Sequence, residues 1–132
     1  MNRFVLLEHD TRPGRDAGGA TAGVHWDLML ELAPGGGLAT WRLAANPCDT
    51  GEPVVAERIG EHRVAYLDYE GDLSGGRGRV RQVDRGALEV RRVDADAVCV
   101  RIAGARLAGE YEIAGAPGAC FLRRAGGAKM DA

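Results

Sequence analysis

The chain has 132 residues, of which 45% are hydrophobic and 27% are charged, and its formal net charge is -2 at pH 7. This length predicts one domain with a single core, and the near-neutral charge excludes a general coating of positive charge, so any nucleic-acid contact must be local. No apolar run approaches the length of a membrane span and the N-terminus lacks a signal-like pattern, so we expect a cytoplasmic location and no membrane partner.

Short alternating segments, separated by Gly, Pro and Asp turns, run along the chain. Their spacing of roughly 8–12 residues, without a helical period over any long window, predicts an all-β fold, a barrel or a sandwich, with little helix. Residues 1–125 form the domain in this prediction, with a flexible loop at 11–22 and a frayed tail at 126–132. The predicted strands, with a turn at 85–86, cover 4–9, 24–32, 38–43, 54–59, 79–84, 87–93, 97–102, 106–113 and 120–124.

The predicted strand 24–32 has two different faces. One face carries Trp26, Leu28, Leu30 and Leu32, and the other carries His25, Asp27, Met29 and Glu31. An imidazole and a carboxylate two residues apart on one face lie roughly 7 Å apart at the backbone, close enough to converge on one metal ion. A surface strand whose His and Asp face water fits the same two residues, so the pair alone does not decide between the two readings.

Further motifs accompany this strand. FVLLEH at 4–9 precedes HWDLMLE at 25–31 and Trp41, and EHRVAYLDYEG follows at 61–71, then GRV at 78–80, DRG at 84–86 and ARLAG at 105–109. In order and spacing these resemble the 3′-phosphoesterase domain of bacterial DNA ligase D, including its small standalone members. That family typically reads F-V-x-x-x-H, H-Y-D-L-R-L-E, S-W, E-D-H-P-x-x-Y-x-x-F-E-G, G-x-V-x-x-W-D-x-G and K-L-x-G.

The resemblance implies a compact single-domain β-barrel and a metal-dependent phosphoesterase that removes a 3′-terminal ribonucleoside or a 3′-phosphate in DNA repair. His9, His25 and Asp27 match the family's ligands of a divalent metal, with manganese first and zinc or cobalt as alternatives. His62 and Tyr66 match catalytic positions that contact the reacting phosphate, His62 as a general acid or an oxyanion donor. The implied partners are DNA or RNA 3′ ends and other end-joining repair proteins.

Two basic residues of the family are replaced in this chain. Met29 stands where the family has Arg, and Ala45 stands where it has Lys. Because phosphoryl transfer needs positive charge at the phosphate oxygens, we predict that Arg42, Arg63 and Arg77 bind the phosphate instead. The alternative function is a catalytically weak or inactive module that binds nucleic-acid ends and keeps the metal site.

A third interpretation comes from outside the resemblance. His25 and Asp27 with a distant His62 provide the residue types of the facial triad in non-haem iron oxygenases. Nothing in the sequence marks an arginine that would bind a cosubstrate, and the wider set of motifs already accounts for these residues, so this interpretation ranks below the other two.

Overall fold

The computed structural model describes residues 2–12, 23–116 and 119–125. The strands are β1 Asn2–Asp10, β2 Val24–Leu30, β3 Leu38–Leu43, β4 Val54–His62, β5 Gly71–Asp72, β6 Arg79–Val93, β7 Ala97–Gly104, β8 Ala108–Ala116 and β9 Ala119–Arg124. All of these strands except β5 form a closed antiparallel barrel in the order β1-β2-β3-β4-β9-β8-β7-β6, and β6 returns to pair with β1. The short β5 adds to β6.

The prediction of an all-β barrel with little helix is confirmed. In the described ranges the helical structure is limited to three short 3-10 segments, Pro47–Asp49, Val64–Asp68 and Ser74–Gly76. No helix in the same ranges is long and apolar enough to cross a bilayer. Most of the predicted flexible loop, residues 13–22, and the whole predicted tail at 126–132 lie outside the described residues, so the domain boundary at 125 stays a prediction.

Where β1, β2 and β3 pair, both the inner and the outer face of the barrel wall are covered by other side chains. The inner face forms the main core, which includes Phe4, Leu6, Leu28, Leu30, Trp41, Val100, Ile102 and Ile113. On the outer face a second apolar cluster contains Val5, Leu7, Met29, Leu38, Leu67 and Val80. The sequence predicted a half-buried β2, but the 3-10 segment Val64–Asp68 folds over the outer face and buries Leu67 there, so Met29 is only 1% exposed.

β6 runs without interruption over Arg79–Val93, so the predicted turn at Arg85 and Gly86 is wrong. Gly86 lies opposite Gly104 in the register of β6 and β7, and a Cβ on Gly86 would collide with the carbonyl oxygen of Ala103. Glycine here permits the close approach of two strands and does not reverse the chain. The first part of β6 pairs with β1 and its later part with β7, so this long strand closes the barrel.

The turn between β7 and β8 is held by a buried carboxylate, that of Asp84 in β6. Its two oxygens accept hydrogen bonds of 2.7–2.9 Å from the backbone N–H groups of Ala105, Arg106 and Leu107. These donors would otherwise be left without a partner at the turn, so the carboxylate stabilises the fold. The DRG and ARLAG motifs therefore meet in a contact that stabilises the fold.

Candidate metal centre and adjoining cavities

Three potential metal ligands meet on the outer face of β1 and β2. His9 lies directly opposite His25 in the antiparallel register, and Asp27 follows two residues along β2 on the same face. Nδ1 of His9 is 3.2 Å from Nε2 of His25. Oδ1 of Asp27 is 3.3 Å from Nε2 of His25, and Oδ2 is 3.8 Å from Nδ1 of His9. Each residue thus offers one ligand atom within 4.8 Å of the others.

The donor atoms fit one small divalent ion. Bonds of about 2.1 Å at angles between octahedral and tetrahedral values separate neighbouring donor atoms by about 3.0–3.4 Å. Asp27 is 3% exposed, and its Oδ1 approaches His25 without hydrogen-bond geometry and has no hydrogen-bond partner among the described residues. A buried carboxylate oxygen without a partner is costly, and a cation at this point would offset that cost.

The orientation of His9 is fixed from outside the ligand cluster. Its Nε2 donates a hydrogen bond of 2.8 Å to the backbone carbonyl of Arg77, because a carbonyl can only accept. The proton on Nε2 leaves the lone pair of Nδ1 on the side of His25 and Asp27. A hydrogen bond of this kind sets the tautomer of a metal-binding histidine in many proteins.

A cavity of about 730 Å³ opens beside the three ligands. Arg42, His62 and Arg77 also line it. Arg42 is the cross-strand neighbour of Asp27 in the register of β2 and β3, so the two side chains lie on the same outer face. The side chain of Arg42 is exposed, and Glu57 is its other cross-strand neighbour, on β4. Across the described ranges no carboxylate lies within ion-pair distance of the Arg42 guanidinium, so an anionic ligand in the cavity can contact it.

His62 reaches this cavity because β4 contains a bulge. Leu38 pairs with His62 and Thr40 pairs with Ile59, so the register shifts by one residue between the two pairs. Strict alternation would put His62 and Ile59 on opposite faces, whereas the extra residue lets both line the cavity. Nδ1 of His62 donates to the carbonyl of Gly60 at 3.0 Å, which leaves Nε2 available to a ligand.

Tyr66 and Arg63 line a neighbouring cavity of about 280 Å³. The two cavities share Arg77. The ring centroid of Tyr66 lies 5.4 Å from that of His62, so the two predicted catalytic side chains are in contact across the boundary. The structure thus gathers the predicted site residues in two adjoining cavities, with the ligand cluster, Arg42 and His62 in the larger one.

The family model of the DNA ligase D 3′-phosphoesterase domain matches residues 18–114. The chain belongs to this family. The match includes β2, His62 and Tyr66, whereas β1 with His9 precedes it. No curated protein matches the chain. Family membership supports a hydrolase that acts on phosphoesters at nucleic-acid ends.

The phosphoesterase-family position occupied by Met29 does not face the cavity in this chain. Met29 packs in the outer apolar cluster beneath the 3-10 segment Val64–Asp68. A cation stands instead at Arg42, on the neighbouring strand and directly across from Asp27. Ala45 is exposed in the turn that follows β3 and does not line either cavity.

Arg77 contributes to this phosphoesterase-like site in a way that the sequence did not indicate. Its guanidinium donates to the carbonyl of Ser74 at 2.8 Å and to the hydroxyl of Ser74 at 3.2 Å. Its own carbonyl accepts the hydrogen bond from His9. The sole sequence signal for this approach is Gly78, which has a φ of +95° and whose Cβ would collide with the carbonyl oxygen of Asp10.

An ion pair occupies the edge of the site beside His9. Side-chain and backbone hydrogen bonds from Arg12 lower the pKa of Asp10 to about 2. Asp10 is therefore ionised at neutral pH, and Nη2 of Arg12 lies 2.8 Å from its Oδ2. Because Arg12 is already paired, it is a weaker candidate for phosphate binding than Arg42.

Proposed function

We propose that this chain is a metal-dependent 3′-phosphoesterase, which removes a 3′-terminal ribonucleoside or a 3′-phosphate from DNA or RNA in end processing for DNA repair. The observation that carries the proposal is the convergence of His9, His25 and Asp27 beside a cavity lined by Arg42 and His62. Family membership supports the hydrolase class. We propose that it acts in the cytoplasm together with other end-joining repair proteins.

His9, His25 and Asp27 would hold the metal ion, manganese in the first place, with zinc or cobalt as alternatives. A metal ion bound there supplies a Lewis acid for the phosphate and lowers the pKa of a coordinated water. The two imidazoles contribute neutral nitrogen donors, and Asp27 contributes the negative charge. The carbonyl of Arg77 keeps the lone pair of His9 directed at the site.

The remaining side chains act on the phosphate. Arg42 neutralises charge on the non-bridging oxygens, the role left open by Met29. With Nδ1 donating to Gly60, the doubly protonated ring of His62 also carries a proton on Nε2, and this proton goes to the leaving oxygen or forms a hydrogen bond to a non-bridging oxygen. The hydroxyl of Tyr66 binds a phosphate oxygen from the side of the smaller cavity.

Incubation with Mn²⁺ and a labelled primer tests this function. One primer ends in a single ribonucleotide and a second ends in a 3′-phosphate, and we expect a shortened or dephosphorylated product from at least one of them. A chelator and the Asp27→Asn variant serve as controls that should both stop the reaction. No product from either primer with purified, metal-loaded protein would refute the phosphoesterase, and metal-dependent end binding without turnover would favour the binding module.

The close approach of Gly78 to β1 makes a prediction about metal affinity. In the Gly78→Ala variant the new Cβ pushes the turn and the carbonyl of Arg77 away from His9, and we expect the Kd for Mn²⁺ to rise about 10–100-fold in titration calorimetry. Gly76→Ala is the matched control, because Gly76 also has a positive φ, +70°, but its Cβ would meet nothing within 4 Å. Equal affinities in the two variants would contradict the role of the Arg77 carbonyl.

The position of Arg42 makes a prediction about phosphate binding. Arg42→Ala removes a charged donor beside Asp27, so we expect the Kd for an oligonucleotide with a 3′-phosphate to rise about tenfold or more in fluorescence anisotropy. Arg58→Ala is the control, since Arg58 is also exposed on a barrel strand but packs over the ring of Trp41. Arg63→Ala and Arg77→Ala complete the set, and unchanged affinity in all three predicted arginine variants would show that another group binds the phosphate.

A further inference from the structure

The smaller cavity has an aromatic wall formed by Tyr66 and Tyr69, and the proposed hydrolysis gives no role to Tyr69. Rings follow one another from the metal side, with centroids 5.4 Å apart for His62 and Tyr66 and 6.1 Å apart for Tyr66 and Tyr69. Both contacts are edge-to-face, with interplanar angles of 77° and 84°. Tyr69 is 38% exposed, so its ring is accessible to a ligand in the cavity.

The walls of this cavity are held in place before any ligand arrives. The hydroxyl of Tyr69 donates to the carbonyl of Asp72, and Ser74 fixes the guanidinium of Arg77 through its carbonyl and hydroxyl. The 3-10 segment beneath is anchored by Leu67, which is 1% exposed and whose carbonyl accepts a hydrogen bond of 3.0 Å from Gln82. A preformed site loses little conformational entropy on binding.

The charge of the cavity favours an anionic ligand. Arg63 and Arg77 both line it, and Asp72 is the one acidic residue among its lining residues. The carboxylate of Asp72 faces the guanidinium of Arg79 at 3.7 Å, so its charge is partly neutralised outside the cavity. The volume of about 280 Å³ lies just below the range for small-molecule pockets, about 300–1,000 Å³, and suits a ligand no larger than a single nucleoside.

We propose that this cavity binds the nucleoside joined to the reacting phosphate. The base stacks on Tyr69, and the other phosphate of this nucleoside, which does not react, lies near Arg63 and Arg77. The proposal rests on the proposed function for the direction in which the nucleic-acid strand runs. Arg77 lines both the smaller cavity and the larger cavity beside the three ligands, so a bound strand can pass from one to the other. Stacking on an aromatic side chain accepts any base, so the subsite reads the presence of a base and not its identity.

Binding measurements without turnover test the subsite. In the presence of a chelator, labelled oligonucleotides with a 3′-phosphate carry either a normal or an abasic terminal nucleotide. We expect the wild-type protein to bind the normal end about tenfold more tightly in fluorescence anisotropy, the size of effect that one base stack produces. Tyr69→Ala should abolish this difference, whereas Tyr69→Phe, which keeps the ring, should retain it.

Phe121→Ala is the matched control, because Phe121 is 39% exposed on β9 and does not line the cavity. It should keep the full preference for the normal end, and thermal unfolding of each variant verifies the fold. Equal affinity of the wild-type protein for both ends, absence of binding, or a preference that survives Tyr69→Ala overturns the subsite. Failure of hydrolysis with Mn²⁺ alongside base-dependent binding would refute the phosphoesterase and leave the subsite standing.

Discussion

Replacing His25 with alanine is expected to abolish stoichiometric manganese binding. The change removes one of three donors whose ligand atoms lie within 4.8 Å of one another, and it leaves only His9 and Asp27 to hold an ion. Because even residues that only orient ligands are worth about 10–100-fold in metal affinity, loss of a ligand itself should cost at least about 100-fold. Metal content after gel filtration, measured by mass spectrometry, and the electron paramagnetic resonance signal of bound Mn²⁺ would quantify the loss.

His62→Ala is the control for this experiment. His62 is a half-buried histidine of the same cavity, but it lies outside the cluster of three ligands. Its variant should retain wild-type metal content. Full occupancy in the His25→Ala variant, or equal loss in both variants, would show that the ion is bound elsewhere.

The same His62→Ala variant is expected to lose catalytic rate while it keeps its metal. A general acid at the leaving oxygen contributes about 10²–10⁴-fold, so kcat on a primer with a terminal ribonucleotide should fall within that range. The bulge in β4 presents His62 to the cavity, and the hydrogen bond from Nδ1 to Gly60 leaves Nε2 without a partner among the described residues, for the role proposed at the phosphate ester. Single-turnover kinetics under metal saturation would measure the chemical step.

A change of leaving group distinguishes the two roles proposed for His62. A phosphate ester with an acidic leaving group, such as nitrophenol, needs little protonation, so the effect of His62→Ala should be much smaller on it if His62 is the acid. An equal loss on both substrates would assign His62 to the non-bridging oxygens. A variant as active as the wild-type protein on the primer would exclude both roles.

The barrel was predictable from the sequence because period-two alternation and regular turn signals are local. The course of β6 was not, because a glycine that separates two strands looks like a turn until its neighbour is known. Gly86 faces Gly104, which is distant in the chain, and no local window contains that pairing. The burial of Met29 is a second case, since the segment that covers β2 lies far along the chain.

In the candidate site, too, some features could be predicted from the local sequence and others depend on contacts between distant residues. Alternation alone put His25 and Asp27 on one face, and the resemblance added His9 and His62. The position of Arg42 across from Asp27 depends on the register of β2 and β3, and the presentation of His62 depends on a bulge, so neither could be derived from spacing. The carbonyl of Arg77 has no side-chain signature, and Gly78 indicates by itself only a glycine turn, so the fold was needed to reveal the contact with His9.

The seam of the barrel has a consequence for how the site assembles. His9 pairs on one side with His25 and on the other with Val80, so its position is fixed only after contacts that are 16 and 71 residues apart along the chain have both formed. The contact with the larger sequence separation costs more loop-closure entropy, by about 1.3 kcal/mol, and forms later along the chain. A nascent chain can therefore join β1 and β2 early, but it cannot orient His9 until the start of β6 has been synthesised. A site that binds metal is thus present only in chains whose barrel has closed between β1 and β6.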